Sequence, residues 1–191
     1  MFRIAVLVSG TGTTLEAILQ DAQDHEDYEV VLVISDRPCM ALDKARERGY
    51  PTLLLSRDAS LSHRVKEACT HVDLVVLAGF LSILEGDLLQ AMEGKIINLH
   101  PSLLPQFGGK GMYGFKVHEK VFDSGQPFSG CTVHYVNEVV DGGSFLLKRM
   151  ISIEDCRSPE DVMKKVAAVE KGTLLDAIHL LAKEAKDEST D

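Results

Sequence analysis

Over its first hundred residues the chain alternates short apolar runs with amphipathic stretches, and that alternation leaves few folds open. Phe2 to Ser9, Tyr28 to Ile34, Pro51 to Leu55, Leu74 to Ala78 and Lys95 to Leu99 read as strands. Between them lie helical patterns. A stripe begins at Leu15, Ile18 and Leu19, a mixed-charge helix spans Ala41 to Arg48 before Gly49, and another spans Leu61 to Cys69. Leu74-Val75-Val76-Leu77-Ala78 contains no polar residue, as a strand covered on both faces requires. The pattern predicts an α/β fold, a parallel Rossmann-like sheet with helices on both faces. In such sheets ligands sit beyond the carboxyl ends of the strands.

Three such ends stand out. Ser9-Gly10-Thr11-Gly12-Thr13-Thr14 joins the first strand to the first helix, a geometry in which backbone N–H groups and the helix dipole receive an anion. The spacing is neither Gly-x-Gly-x-x-Gly nor a Walker A, since no Gly-Lys-Ser/Thr follows; a tight turn with a threonine cap is the other reading. At the end of the fifth strand, Asn98 and His100 are two residues apart and point to the same side. Pro101 removes a backbone donor and Pro105 stiffens the exit, so an amide and an imidazole share a rigid shelf. The alternative is that both side chains satisfy backbone groups at a strand terminus. Gly79-Phe80-Leu81-Ser82-Ile83-Leu84 is apolar where a loop is expected to be polar, and either lines a ligand slot or forms a short buried helix.

The second half of the chain is less regular. Gln106 to Gly114 is glycine-dense and reads as a loop, Lys116 to Phe122 as a short helix carrying His118, and Cys131 to Val136 as an alternating strand. Asn137 to Gly143 is a loop holding Asp141-Gly142-Gly143, followed by a last strand from Ser144 to Ile153. Ser158-Pro159-Glu160-Asp161 starts a helix with a serine cap, an early proline and acids in the first turn. Its stripe continues through Val162, Val166, Val169, Leu174, Ile178 and Leu181, and the polar tail 186–191 is expected to fray.

At 191 residues the chain is expected to form one domain over 1–191. No apolar run approaches the roughly 20 residues of a membrane span, and the start lacks a long apolar leader, so a cytoplasmic protein without membrane contact is expected. A net charge of −9 argues against nucleic-acid binding through a basic face. It leaves small anions open, because a few local donors hold a phosphate whatever the global charge. Cys39, Cys69, Cys131 and Cys156 are scattered without a Cys-x-x-Cys pair, which predicts reduced, mostly buried thiols and no zinc site built on them.

Taken together these motifs resemble the folate-dependent formyltransferase superfamily, and within it the branch acting on glycinamide ribonucleotide. The resemblance rests on Ser9-Gly10-Thr11-Gly12, Leu77-Ala78-Gly79-Phe80, Asn98-Leu99-His100-Pro101-Ser102-Leu103-Leu104-Pro105, Gly109 to Gly114, Gly130-Cys131-Thr132-Val133-His134 and Val140-Asp141-Gly142-Gly143. It implies a mostly parallel seven-stranded sheet with helices on both sides. It also implies transfer of a formyl group from 10-formyltetrahydrofolate to the amine of glycinamide ribonucleotide, by a monomer or homodimer acting on small molecules and without a metal.

By the same resemblance Asn98, His100 and Asp141 are the catalytic trio, with Thr132, His134 and Glu170 in support. Gly10, Thr11, Gly12, Thr13 and Thr14 match the loop that holds the substrate phosphate. Phe80, Leu81, Ser82, Ile83 and Leu84 match the folate wall, together with Asn98 and Asn137, Glu138, Val139, Val140 and Asp141. The chemistry suits these types. An amide and a protonated imidazole stabilise an oxyanion at the formyl carbon, and a carboxylate beside His100 is expected to raise its pKa. Asp141 can then help carry the proton from the attacking nitrogen to the departing one. Thr13-Thr14 stands where the family usually has Ser-Asn, Ser82 where an arginine is frequent, and Ala167 and Lys171 where glutamine and histidine are usual. These departures surround the acceptor more than the reaction centre. They leave open a different acceptor amine, such as an amino-sugar nucleotide, or a silent folate- or nucleotide-binding relative.

Overall fold

The computed structural model describes residues 1–188. Its strands are β1 (Phe2–Val8), β2 (Tyr28–Ser35), β3 (Thr52–Leu54), β4 (Leu74–Leu77), β5 (Ile96–His100), β6 (Phe128–Tyr135) and β7 (Phe145–Ser152). The helices are α1 (Thr13–Asp24), α2 (Met40–Glu47), α3 (Leu61–Ala68), α4 (Asp87–Ala91), α5 (Phe115–Asp123) and α6 (Pro159–Glu188). Seven strands in the order β3-β2-β1-β4-β5-β6-β7 make the expected α/β sheet. β1, β2, β3 and β4 are paired in parallel, while β6 and β7 form an antiparallel hairpin.

The chain divides into two compact units. The first comprises Met1–Ile97 and the chain from Ile178 onward. Here β1 pairs with β2 on one edge and β4 on the other, so Ile4 to Val8 have no solvent-facing side and are fully buried. Each such aliphatic side chain contributes about 1.5–3 kcal/mol by leaving water. Leu15, Ile18 and Leu19 are buried together because a 3.6-residue period puts them on one face of α1. The segment 79–86 is a loop and not the short buried helix that was one of its two readings. Leu81 and Ile83 point outward while Ser82 and Leu84 are buried, a period of two that no helix tolerates. A helix follows only at α4.

The second unit is Asn98–Ala177. Val117 and Val121 of α5, Val162 and Val166 of α6, Cys131 of β6, Phe107 and Ile153 form its core. Ser158 Oγ accepts the Asp161 N–H at 3.2 Å, the serine cap foreseen for α6. The helix continues through Lys186 to Glu188, where a frayed tail is expected from sequence; residues 189–191 lie outside the described residues. Gly143 has a specific packing role, since a Cβ there would lie 1.7 Å from the Tyr135 carbonyl oxygen. That close approach accompanies the irregularity at His134, where β6 pairs with Phe145 of β7. The four cysteines are free; Cys69 and Cys131 are buried, whereas Cys39 and Cys156 are half-buried. Among the described residues no helix is long and apolar enough to cross a membrane.

Candidate active site

β5 delivers Asn98 and His100 from the same side of one strand, and the loop between β6 and β7 delivers Asp141. The imidazole of His100 is buried, and its Nε2–H donates to the Phe107 carbonyl at 2.7 Å. Its Nδ1 faces Asp141 Oδ2 at 3.4 Å. The other oxygen of Asp141 lies 3.5 Å from His134 Nε2, so one carboxylate stands between two imidazoles. His134 Nδ1–H donates to the Tyr135 carbonyl at 2.9 Å, which leaves Nε2 to accept from the Asn98 amide at 3.2 Å. The predicted trio is thus one chain of contacts, Asn98–His134–Asp141–His100. His134 is the link, in contact with both Asn98 and Asp141.

Asp141 adopts a φ of 56°, a left-handed conformation that aspartate tolerates better than most residues. The turn aims its carboxylate inward, where Oδ2 also accepts the Gly109 N–H at 2.9 Å. Burial opposes its ionisation, but His134, His100 and the Gly109 N–H together outweigh burial and hold its pKa below the usual carboxylate range. For His100 the balance runs the other way. Burial is the largest influence and lowers its pKa, despite the charge of Asp141 and the bond to Phe107. The expectation that a neighbouring carboxylate would raise it is therefore corrected: the carboxylate acts in that direction, and desolvation is stronger.

Thr132 braces the shelf beneath. Its hydroxyl donates to the Ser102 carbonyl at 2.8 Å and accepts the Leu104 N–H at 3.1 Å, fixing the exit from β5. Lys148 adds a bond to the Leu104 carbonyl at 2.6 Å, a part that sequence did not suggest. Buried His118, whose Nδ1 has no hydrogen-bond partner among the described residues, has its pKa lowered by burial and further by the charge of His100. Glu170 is half-buried on α6, where burial raises its pKa, and its charge bears on the Cys131 thiol. No hydrogen bond joins it to the trio among the described residues.

Of the remaining predicted positions, the glycine turn and the loop 80–84 belong to the first unit and 137–140 to the second. α1 begins at Thr13 after Gly12, with no side-chain cap, so its first-turn N–H groups are left to solvent or an anion. Gly12 has a φ of 83°, and a Cβ there would meet Ala41 at 2.8 Å, so this turn tolerates no larger residue. Gly10, Thr11 and Thr13 are exposed and Thr14 is half-buried. The loop carrying Phe80 to Leu84 is tied to the same region by a carboxylate that sequence did not single out. Buried Asp36, at the end of β2, accepts from Ser9 Oγ at 2.7 Å, Ser82 Oγ at 2.6 Å and the Arg37 guanidinium at 2.8 and 3.0 Å. Ser9 Oγ in turn accepts the Leu81 N–H at 2.9 Å. In the second unit Asn137 Oδ1 accepts the Val139 N–H at 2.9 Å, and Asn137, Glu138, Val139 and Val140 are exposed.

Asp36 makes a direct prediction. Burial opposes its charge, but the bonds from Arg37, Ser82 and Ser9 prevail and hold its pKa down to about 2. A lowered carboxylate pKa stabilises the fold above the unfolded value of about 3.9, and that stability is lost as pH falls through the folded value. Asp36→Ala is expected to cost about 1–3 kcal/mol for each buried hydroxyl left without its acceptor. Urea unfolding of both proteins should show the difference narrowing between pH 4 and pH 2, a window set by those two pKa values. An unchanged difference across that window would remove the assigned role.

Residues 2–178 match the family described as formyl transferase. The chain is 36% identical to phosphoribosylglycinamide formyltransferase of Haemophilus influenzae, over 88% of this chain and 79% of that protein. It is 35% identical to the chloroplastic phosphoribosylglycinamide formyltransferase of Arabidopsis thaliana, over 95% of this chain. It spans 66% of that protein, and only 18% of the trifunctional purine biosynthetic protein adenosine-3 of Bos taurus, to which it is 35% identical. The crystal structure of glycinamide ribonucleotide transformylase 1 from Symbiobacterium toebii superposes with a TM-score of 0.87 at 33% identity, covering 96% of this chain and 89% of that one. The family match over residues 2–178, a relative 36% identical across most of both chains and a seven-stranded sheet shared with a solved transformylase together show that the protein belongs to the formyl transferase family.

Proposed function

We propose that this chain transfers the formyl group of 10-formyltetrahydrofolate to the amine of glycinamide ribonucleotide, acting on small molecules in the cytoplasm as a monomer or homodimer and as a single formyltransferase domain. The observation that carries this reading is the chain of contacts Asn98–His134–Asp141–His100, with both of its imidazoles buried. Attack of a neutral amine on the formyl carbon puts negative charge on oxygen and positive charge on nitrogen. The Asn98 amide has a second N–H, beyond the one given to His134, to offer the oxyanion; His100 Nδ1 can donate as well only when it carries a second ring proton, the form that the Asp141 carboxylate at 3.4 Å favours against burial. Asp141, ionised at neutral pH, takes up the proton from the attacking nitrogen directly or through water and returns it to the leaving nitrogen. No step asks for a metal.

Two separate features support the donor: Leu81 and Ile83 in the first unit, and Val139 and Val140 in the second, are each exposed aliphatic side chains of a kind that packs an aromatic ring system. Assay of the purified protein with the formylfolate against a panel of amines tests the whole reading; no turnover with any amine would leave a silent binding relative. A second reading, a different acceptor amine such as an amino-sugar nucleotide, is favoured by Thr14, Ala167 and Lys171.

Thr14 decides between them. A hydrogen bond to a charged group is worth about 1.5–3 kcal/mol, so Thr14→Val should weaken the ribonucleotide roughly 10- to 150-fold. Thr14→Asn should change KM only modestly. An inactive wild type rescued by asparagine would overturn the acceptor and leave the formyl transfer standing.

A further inference from the structure

Far along α1 from its glycine turn, Asp21 and His25 stand one helical turn apart, and His179 of α6 reaches the same place. His179 Nε2 lies 2.8 Å from Asp21 Oδ2, and His25 Nε2 lies 3.7 Å from Asp21 Oδ1. The other nitrogen of His179, Nδ1, faces Asp27 Oδ2 at 3.1 Å. Tyr28 donates its hydroxyl to Asp21 Oδ2 at 2.8 Å and is held neutral by burial and by that carboxylate.

A neutral imidazole has one N–H. Whichever nitrogen of His179 carries it, the other presents a lone pair to a carboxylate oxygen, 2.8 Å away at Asp21 or 3.1 Å away at Asp27, and a bound cation relieves that contact. A second ring proton is one such cation. A metal ion is the other, and three features favour it. One ligand atom from each of Asp21, His25 and His179 lies within 4.8 Å of the other two. Four-coordinate zinc with bonds of 2.0–2.1 Å sets its ligand atoms roughly 3.3 Å apart, between the 2.8 and 3.7 Å seen here. Finally, a metal-bound histidine normally donates its far N–H to a carboxylate, and Asp27 is already in that position.

We propose that Asp21, His25 and His179 bind one zinc ion, with Asp27 and Tyr28 orienting His179 and Asp21. Two imidazoles and a carboxylate suit zinc, whereas calcium and magnesium prefer oxygen ligands. The exposed His25 ring swings the short distance needed to close the set, and water fills the fourth position. The ion then pins the end of α1 to α6.

The test uses the full chain, stripped with a chelator and dialysed against zinc chloride, with cobalt chloride as the spectroscopic probe. One zinc per chain is expected, with visible cobalt bands of a four-coordinate site and a raised Tm in zinc. His25→Ala should abolish the cobalt bands, and Asp27→Asn should weaken zinc about 10–100-fold while leaving every ligand in place. Both residues are exposed, so the variants keep the fold. Failure of the wild type to bind zinc would overturn the proposal, as would zinc binding that neither variant alters.

Discussion

His100→Ala and Asp141→Asn are each expected to lower turnover roughly 10²–10⁴-fold with the fold retained. The asparagine is nearly isosteric and can still accept the Gly109 N–H, so it removes charge and little else. That charge now faces two imidazoles, at 3.4 and 3.5 Å. Its loss should be visible at His100 itself. Asp141 pulls the His100 pKa upward against burial, so in Asp141→Asn the imidazole should titrate at still lower pH than in the wild type. Proton NMR of His100 reads that shift directly, and turnover reads the consequence. The two groups also act in different pH windows on stability. Neutral buried His100 favours the folded state above its unfolded pKa of about 6.5, and the advantage shrinks as pH falls below it. Ionised Asp141 stabilises above about 3.9 and fails only in stronger acid. Near-normal turnover in either variant would remove that residue from the reaction, and an upward His100 shift in Asp141→Asn would reverse the electrostatic account.

Sequence carried the strands because a covered strand must be apolar throughout, as Ile4 to Val8 and Leu74 to Leu77 are. It did not carry α4, whose five residues make little more than one turn and hold no full hydrophobic period. Asn98 and His100 were legible as a pair because a strand repeats every two residues. Asp141 was not, since nothing local to an Asp-Gly-Gly turn says which face it will meet; only the resemblance supplied it. The Phe107 carbonyl and Gly109 N–H that hold His100 and Asp141 are backbone groups with no residue signature at all. The direction of the His100 shift was missed for a related reason. A sequence shows which charges exist, but desolvation depends on packing, and here packing outweighs the one favourable charge. Asp36 carries no motif of its own in the sequence, although its carboxylate joins Ser9 before the glycine turn to Ser82 in the apolar loop.

Asn98→Ala is expected to lower kcat about 10²–10³-fold, the loss usual for one oxyanion donor, with KM nearly unchanged. Asn98 is half-buried on β5, and the bond from its amide to His134 Nε2 fixes the plane of the amide. On the proposed mechanism the remaining N–H is then preset for the reacting oxygen instead of turning to find it. Asn98→Asp should be worse than alanine, because it sets a second carboxylate beside Asp141 and offers an acceptor where a donor is needed. His134→Ala should cost less than Asn98→Ala if its task is to hold the amide, and the double variant should then be no slower than Asn98→Ala alone. Additive losses would instead give His134 its own part in moving the proton, through the carboxylate oxygen it faces at 3.5 Å. Full activity in Asn98→Ala would place oxyanion stabilisation on other groups entirely.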